Sequence, residues 1–216
     1  LFAGQAVPWP VGYLGPPDPT WDEKMFPMRP YDPEKAKRLI AQVGHTPRIK
    51  LYSYPRAGAP EIGSLAEALA GYWGKVGIKT EIVLLDYDSF RLKWVQGAKT
   101  YKPVAGGGGV GAVSIHALDN RFWYFATDYK IFHSGETLDM LRSSEADKLM
   151  DEVQSEASWE KKLKLTQKWH KYKYDNFLTF GIVGTGQIYA TSKKIGRWEF
   201  TKDEYAIGWN SLISGK

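Results

Sequence analysis

The sequence predicts an α/β fold, with a mixed β-sheet flanked by helices. Arg48 to Leu85 reads as strand, helix and strand within about forty residues, the signature of a crossover joining two parallel strands. Two amphipathic helices follow beyond Ser144, and a last apolar run, Phe177 to Val183, reads as a buried strand. With 216 residues, 43% hydrophobic and 25% charged, the chain is long enough to close its own core, and disorder is excluded.

The first thirty residues hold seven prolines, among them Pro16, Pro17 and Pro19, and admit neither a long helix nor a central strand. They are expected to form an extended lead-in packed through Trp9, Tyr13, Trp21 and Phe26. Asp32 then caps a helix, with Pro33 at its first position, Glu34 at the positive end of the dipole and Gly44 as the stop. Ala36, Leu39, Ile40 and Val43 share its apolar face.

The crossover comprises a strand from Arg48 to Tyr54, a helix carrying Leu65, Leu69, Tyr72, Trp73 and Val76, and a strand from Ile78 to Leu85. A helix is expected over Tyr87 to Gly97, a short strand over Thr100 to Ala105, and a short helix near residues 117 to 126. The stretch from Asp128 to Ser143 reads as irregular. Ser144 and Asp147 resemble a capping box before one long helix. Ser158 caps another, with Trp159, Leu163, Thr166, Trp169 and Tyr172 toward the core and six lysines between Lys161 and Lys173 toward solvent.

Composition removes several functions. There is no cysteine, so disulfides, thiol nucleophiles and cysteine-ligated metals are excluded. The net charge of +5 is mild, with both signs interspersed, and implies no nucleic-acid partner. No apolar run reaches the roughly 18 residues of a membrane span. Leu1 stands where an initiator Met would, so a processed or excised chain is expected.

Catalytic and metal patterns are equally sparse. His45, His116, His133 and His170 are scattered without ligand spacing, and no GxSxG elbow occurs. Asp86 and Asp88 sit where a strand meets a helix, which capping explains. Gly106-x-Gly108-x-x-Gly111 matches the dinucleotide fingerprint, with Asp128 about twenty residues on. Pro103 is awkward in the strand before it, and four consecutive glycines satisfy the pattern through composition alone. A nucleotide-dependent enzyme using the Gly106–Gly111 loop is therefore the alternative reading. The favoured one places these glycines at a strand's carboxyl end, where ligands approach an open α/β sheet.

The run Tyr31-Asp32-Pro33-Glu34-Lys35-Ala36-Lys37-Arg38-Leu39-Ile40-Ala41-Gln42-Val43-Gly44 resembles a signature of extracellular solute-binding proteins of the peptide and nickel class, family 5. Gly77-Ile78-Lys79-Thr80-Glu81-Ile82 is similar to the family's second crossover strand. Ser144 to Met150, Trp159 to Trp169, Phe177 to Ile182 and Ile195 to Trp198 follow in the family's order, so the resemblance covers most of residues 3–200. Where peptide-binding members carry an aspartate in a DYxDP-like segment, this chain has Asp119-Asn120-Arg121-Phe122-Trp123-Tyr124.

The resemblance implies the C-terminal, type II periplasmic-binding-protein-like lobe of a two-lobed receptor. It divides the chain into a lead-in over residues 1–30, a ligand-binding lobe over 31–200 and a return segment over 201–216. It also implies a monomeric binding protein, not an enzyme, that needs no cofactor or metal. Such a receptor captures a small solute or oligopeptide between this lobe and its remaining lobe and delivers it to an ABC permease. It works in the periplasm or outside the cell, held at the membrane by the permease or a lipid anchor. The expected ligand-binding residues are Gly106, Gly107, Gly108, Gly109, His116, Asp119, Arg121, Trp123 and Tyr124. The glycine amides would donate hydrogen bonds, Trp123 and Tyr124 would offer stacking surface, and the other three would orient polar groups. A chaperone-like peptide-docking module stays open as a third reading.

Overall fold

The structure is a computed structural model, and it describes residues 4, 6–12, 14–16, 18–55, 59–90, 92, 112–114, 125–136, 141–185, 192, 195–197 and 213–214. The chain divides into two compact units. One contains Arg29–Ala117 and Ser134–Arg142, the other Phe2–Met28, Leu118–His133 and Ser143–Lys216.

The first unit begins with helix α1 (Pro33–Val43). Asp32 Oδ1 accepts from the Lys35 amide at 2.8 Å, Pro33 fills the first turn, and Gly44 closes the helix at φ 78°, as the sequence predicts. The expected apolar face is only partly covered. Ala36 and Ile40 are half-buried, whereas Leu39 and Val43 are exposed.

Strand β2 (Arg48–Ser53) leads through helix α2 (Ile62–Lys75) to strand β3 (Lys79–Leu84), which lies parallel to β2 in register from Arg48 opposite Lys79 to Ser53 opposite Leu84. This is the expected crossover. Alternation along β2 turns Leu51 toward α2, where it forms a core with Ile62 and Ala66, flanked by Leu65, Leu69 and Trp73. Gly77, at φ 98°, makes the turn from α2 into β3. Residues 87–90 and 92 are helical, and the rest of the expected helix over Tyr87 to Gly97 lies outside the described residues.

A third strand, β4 (Ala112–Ser114), pairs parallel with the other side of β2, Leu51 facing Val113, so the sheet order is β3–β2–β4. This strand is not anticipated by the sequence, because its three residues follow a glycine run that reads as a loop. The expected strand at Thr100 to Ala105 lies outside the described residues.

In the second unit, strand β1 (Ala6–Pro8) pairs antiparallel with strand β5 (Val183–Thr185), and β6 (Ile195–Arg197) pairs antiparallel with β7 (Ile213–Ser214). After β1 the lead-in buries Val11, Leu14 and Phe26 against Trp21, Met25 and Tyr174. Between Gly15 and Phe26 it runs through successive hydrogen-bonded turns. Trp9 stacks on Trp21, with ring centroids 5.8 Å apart and planes 22° apart, and donates its indole N–H to the Leu14 carbonyl.

Trp9 is packed closely against Gly181 and Gly184. A Cβ on Gly181 would stand 2.5 Å from the Trp9 carbonyl oxygen, and one on Gly184 3.0 Å from the indole. Because the obstacle at Gly181 is backbone, Gly181→Ala should destabilise the fold by about 1–3 kcal/mol. A urea midpoint equal to that of the parent protein would refute this close-packing account.

Among the described residues of this unit are three helices, α3 (Phe125–Phe132), α4 (Ser144–Ser155) and α5 (Trp159–Asp175). Helix α3 corrects the irregular reading of Asp128 onward. Its buried residues Phe125, Asp128, Ile131 and Phe132 form a helical stripe in which the polar aspartate hides the apolar period.

The cap of α4 is Ser143, one residue before the expected one, with its hydroxyl accepting from the Ala146 amide at 3.3 Å. Ser158 precedes α5 as expected but makes no side-chain cap bond. Trp159, expected in the core, is exposed, whereas Lys173, expected in solvent, is fully buried. The expected strand over Phe177 to Val183 is also corrected. Phe177 has φ 56° and is exposed, Phe180 is exposed, and β5 begins only at Val183.

Candidate ligand-binding site

The parallel sheet of the first unit reverses its strand order about β2. From the central strand β2 the chain passes to β3 on one side and then returns to β4 on the other. In an open α/β sheet such a reversal leaves a crevice outside the carboxyl ends of the strands concerned, here after Ser53 and Ser114.

Ser53 is fully buried there, and among the described residues its Oγ has no hydrogen-bond partner. Tyr54, next along the chain, packs its ring against Tyr87 and Phe90 at centroid distances of 5.2 and 4.4 Å. Ser53 and Tyr54 are both buried, so this end of β2 is closed by its own aromatic packing.

Asp86, beyond the carboxyl end of β3, is occupied as a cap. Its Oδ1 accepts from the Ser89 amide at 2.9 Å, and the bonds from Ser89 hold its carboxyl below the ordinary range. That bears out the capping reading.

The nine expected ligand-binding residues, Gly106 to Gly109, His116, Asp119, Arg121, Trp123 and Tyr124, lie outside the described residues. Their neighbour β4 nonetheless bears on the alternative enzyme reading. A dinucleotide fingerprint requires a strand, a glycine loop and then the first turn of a helix. Here the residues directly after Gly111 are the strand Ala112–Ser114. The strand after Gly111 does not fit such a fingerprint, and the nucleotide-enzyme reading is left without support.

A charged cluster that the sequence reading missed lies buried in the second unit. Asp128 on α3 accepts through Oδ2 from Lys173 Nζ at 2.7 Å and from Trp169 Nε1 at 2.8 Å, both on α5. His170 Nε2 stands 3.5 Å from the same oxygen, and His170 Nδ1 lies 2.8 Å from Thr20 Oγ1 in the lead-in. Thr20 donates its hydroxyl to Asp18 Oδ1 at 2.6 Å, and its backbone N–H donates to the same oxygen.

Burial disfavours charge on all three titrating groups. It lowers the pKa of Lys173 and of His170 despite the Asp128 carboxylate beside them. For Asp128 burial acts upward, but Lys173 and His170 together outweigh it and hold the carboxyl below its ordinary range. The signal for this cluster was present in α5. Thr166, Trp169, His170 and Lys173 fall at i, i+3, i+4 and i+7, which puts the lysine on the buried stripe.

The comparisons with known proteins fit this architecture. The family model described as bacterial extracellular solute-binding proteins, family 5 middle, matches residues 1–112, just over half of the chain. The chain belongs to this family.

Among solved structures, this family 5 chain is similar to a dipeptide binding protein from Pseudoalteromonas sp. SM9913 in complex with Met-Leu. The TM-score is 0.69 and the identity 13%, over 93% of this chain and 39% of that one. It is also similar to NikA from Staphylococcus aureus in complex with Ni(L-His)2, with a TM-score of 0.65 and 17% identity over 93% of this chain and 41% of that one.

A curated relative, heme-binding protein A of Haemophilus influenzae, is 33% identical over 75 residues, 33% of this chain and 14% of that protein. The chain thus spans about two fifths of the length of these solved neighbours. The likeness shows a type II periplasmic-binding-protein fold, and the proteins it relates to are binding proteins. Family membership also implies a periplasmic or extracellular location. Among the described residues no helix is long and apolar enough to cross a membrane.

Proposed function

We propose that this chain is the ligand-binding lobe of the substrate-binding component of an ABC importer. It captures a small solute or oligopeptide in a cleft shared with the remaining lobe of the same receptor and hands it to the permease. Hinged closure around the ligand is the signal for transport, and the receptor is held near the membrane by the permease or a lipid anchor. The observation that carries this reading is the family match over residues 1–112. The reversal of strand order about β2 supports it, since open α/β sheets bind ligands beside such a reversal.

The ligand-contacting residues we propose are Gly106 to Gly109, His116, Asp119, Arg121, Trp123 and Tyr124. Trp123→Ala in the intact receptor should weaken binding about tenfold, as loss of a buried aromatic anchor does. Unchanged affinity by calorimetry would remove Trp123 from the site.

Native mass spectrometry of the intact receptor, purified without added ligand and compared with the denatured sample, should show a releasable small-molecule adduct. A receptor with no adduct, and no heat of binding to dipeptides, nickel–histidine complexes or haem, would overturn the reading.

A further inference from the structure

The buried cluster of the second unit joins three segments that are far apart in the chain. Asp18 and Thr20 belong to the lead-in, Asp128 to α3, and Trp169, His170 and Lys173 to α5. Every titratable member is at most 2% exposed. A network with so little access to water responds to one proton more sharply than a surface pair does.

The proton positions follow from the donors available. Thr20 Oγ1 carries one hydrogen, and at 2.6 Å from Asp18 Oδ1 that hydrogen is committed to the carboxylate. The contact between Thr20 Oγ1 and His170 Nδ1 then needs its hydrogen from the imidazole, so neutral His170 carries its proton on Nδ1. Nε2 is left with a lone pair facing Asp128 Oδ2 at 3.5 Å, an oxygen that already accepts from Lys173 and Trp169.

We propose that His170 is a proton-operated latch that fastens the lead-in turn at Asp18–Thr20 to α5 while neutral and loosens it when Nε2 takes up a second proton. The charged groups that face the ring are Asp18 from the lead-in, Asp128 from α3 and Lys173 from α5 itself. A proton on Nε2 would set a second cation beside Lys173 on the one Asp128 carboxylate. Nδ1–H still donates to Thr20 in the imidazolium, so the loosening comes from the cost of burying a second cation beside Lys173, which opening of the lead-in relieves by letting water reach the ring.

The direction of the effect follows from linkage. Burial holds the imidazole's pKa in the folded protein below its ordinary value, so the unfolded or opened chain binds the proton more readily. The latch is fully engaged above the ordinary histidine pKa and is lost as pH falls below it. For a single linked proton, the opening equilibrium shifts about tenfold per pH unit in that window.

Hydrogen exchange of the intact protein tests this. After correction for the intrinsic pH dependence of exchange, amides of residues 18–26 should lose about tenfold protection per pH unit below the histidine range, with α1 and α2 unchanged. His170→Gln keeps a donor for Thr20 but cannot titrate, and should abolish that dependence. Flat protection in the parent protein, or an equal loss in the variant, would overturn the proposal. Should the variant not fold, nitrogen-15 shifts of the parent's histidines decide, since neutral His170 protonated on Nε2 would overturn it as well.

Discussion

Asp128→Ala is expected to destabilise the protein by about 3–5 kcal/mol, because it leaves the Lys173 ammonium buried with its principal counter-charge removed. The variant should also become markedly more stable as pH rises. A lysine whose folded pKa is depressed binds fewer protons folded than unfolded, so stability increases with pH up to the ordinary lysine value. In the parent protein the aspartate adds an effect at the acid end. Its folded pKa is lowered, so its contribution is present above the ordinary carboxylate range and is lost as pH falls through the folded value.

Urea unfolding across pH reads both effects. Replacing the pair together, Asp128→Leu with Lys173→Met, should recover most of the loss, since two apolar side chains have no charge to strand. If the single variant matched the parent protein, the buried pair would not be the mainstay of α3 against α5.

Trp169→Ala should have an effect of similar size, about 3–5 kcal/mol, for a different reason. Trp169 is fully buried, with its ring 5.7 Å from Phe132 and 5.9 Å from Tyr172, and its truncation leaves a cavity between helices. Trp169→Phe separates the two roles of the side chain. It keeps an aromatic ring but removes the N–H that Asp128 Oδ2 accepts, which should destabilise by about 1–3 kcal/mol. Equal losses for alanine and phenylalanine in denaturant titrations would mean that the hydrogen bond, and not the packing, dominates at this position.

The parts of the fold legible in the sequence are those whose causes are local. Asp32, Pro33 and Gly44 mark α1 because capping, ring geometry and left-handed backbone act within one turn. The crossover from β2 through α2 to β3 is legible because each period runs for six residues or more. What stayed hidden depends on distant partners. β4 is three residues long and exists through its pairing with β2. α3 carries an aspartate on its buried stripe because a lysine on α5 meets it there. Lys173 counted as solvent-facing for the same reason, since lysine is a surface residue until a carboxylate receives it. Phe177 reads as strand by composition, and its positive φ reflects the turn that follows α5.

For the candidate site the legible part is the family resemblance and the sheet edge that the crossover creates. Ser53 and Tyr54 drew no attention in the sequence because serine and tyrosine are common at strand ends. Their distinction is the reversal of strand order beside them, which becomes visible only once β4 is placed.

The closure of the second unit bears on how the chain is made. The lead-in meets partners synthesised far later. His170 lies 150 positions beyond Thr20, Thr179 lies 167 beyond Gly12, and β1 waits for Val183–Thr185. Arg29–Ala117 belongs to the other unit and holds both β2 and β3, so it can organise as it emerges. The lead-in is therefore among the last parts of this unit to settle. Contacts of such long range are slow to form, and until they do the aromatic surface of Trp9, Trp21 and Phe26 stays open to wrong partners.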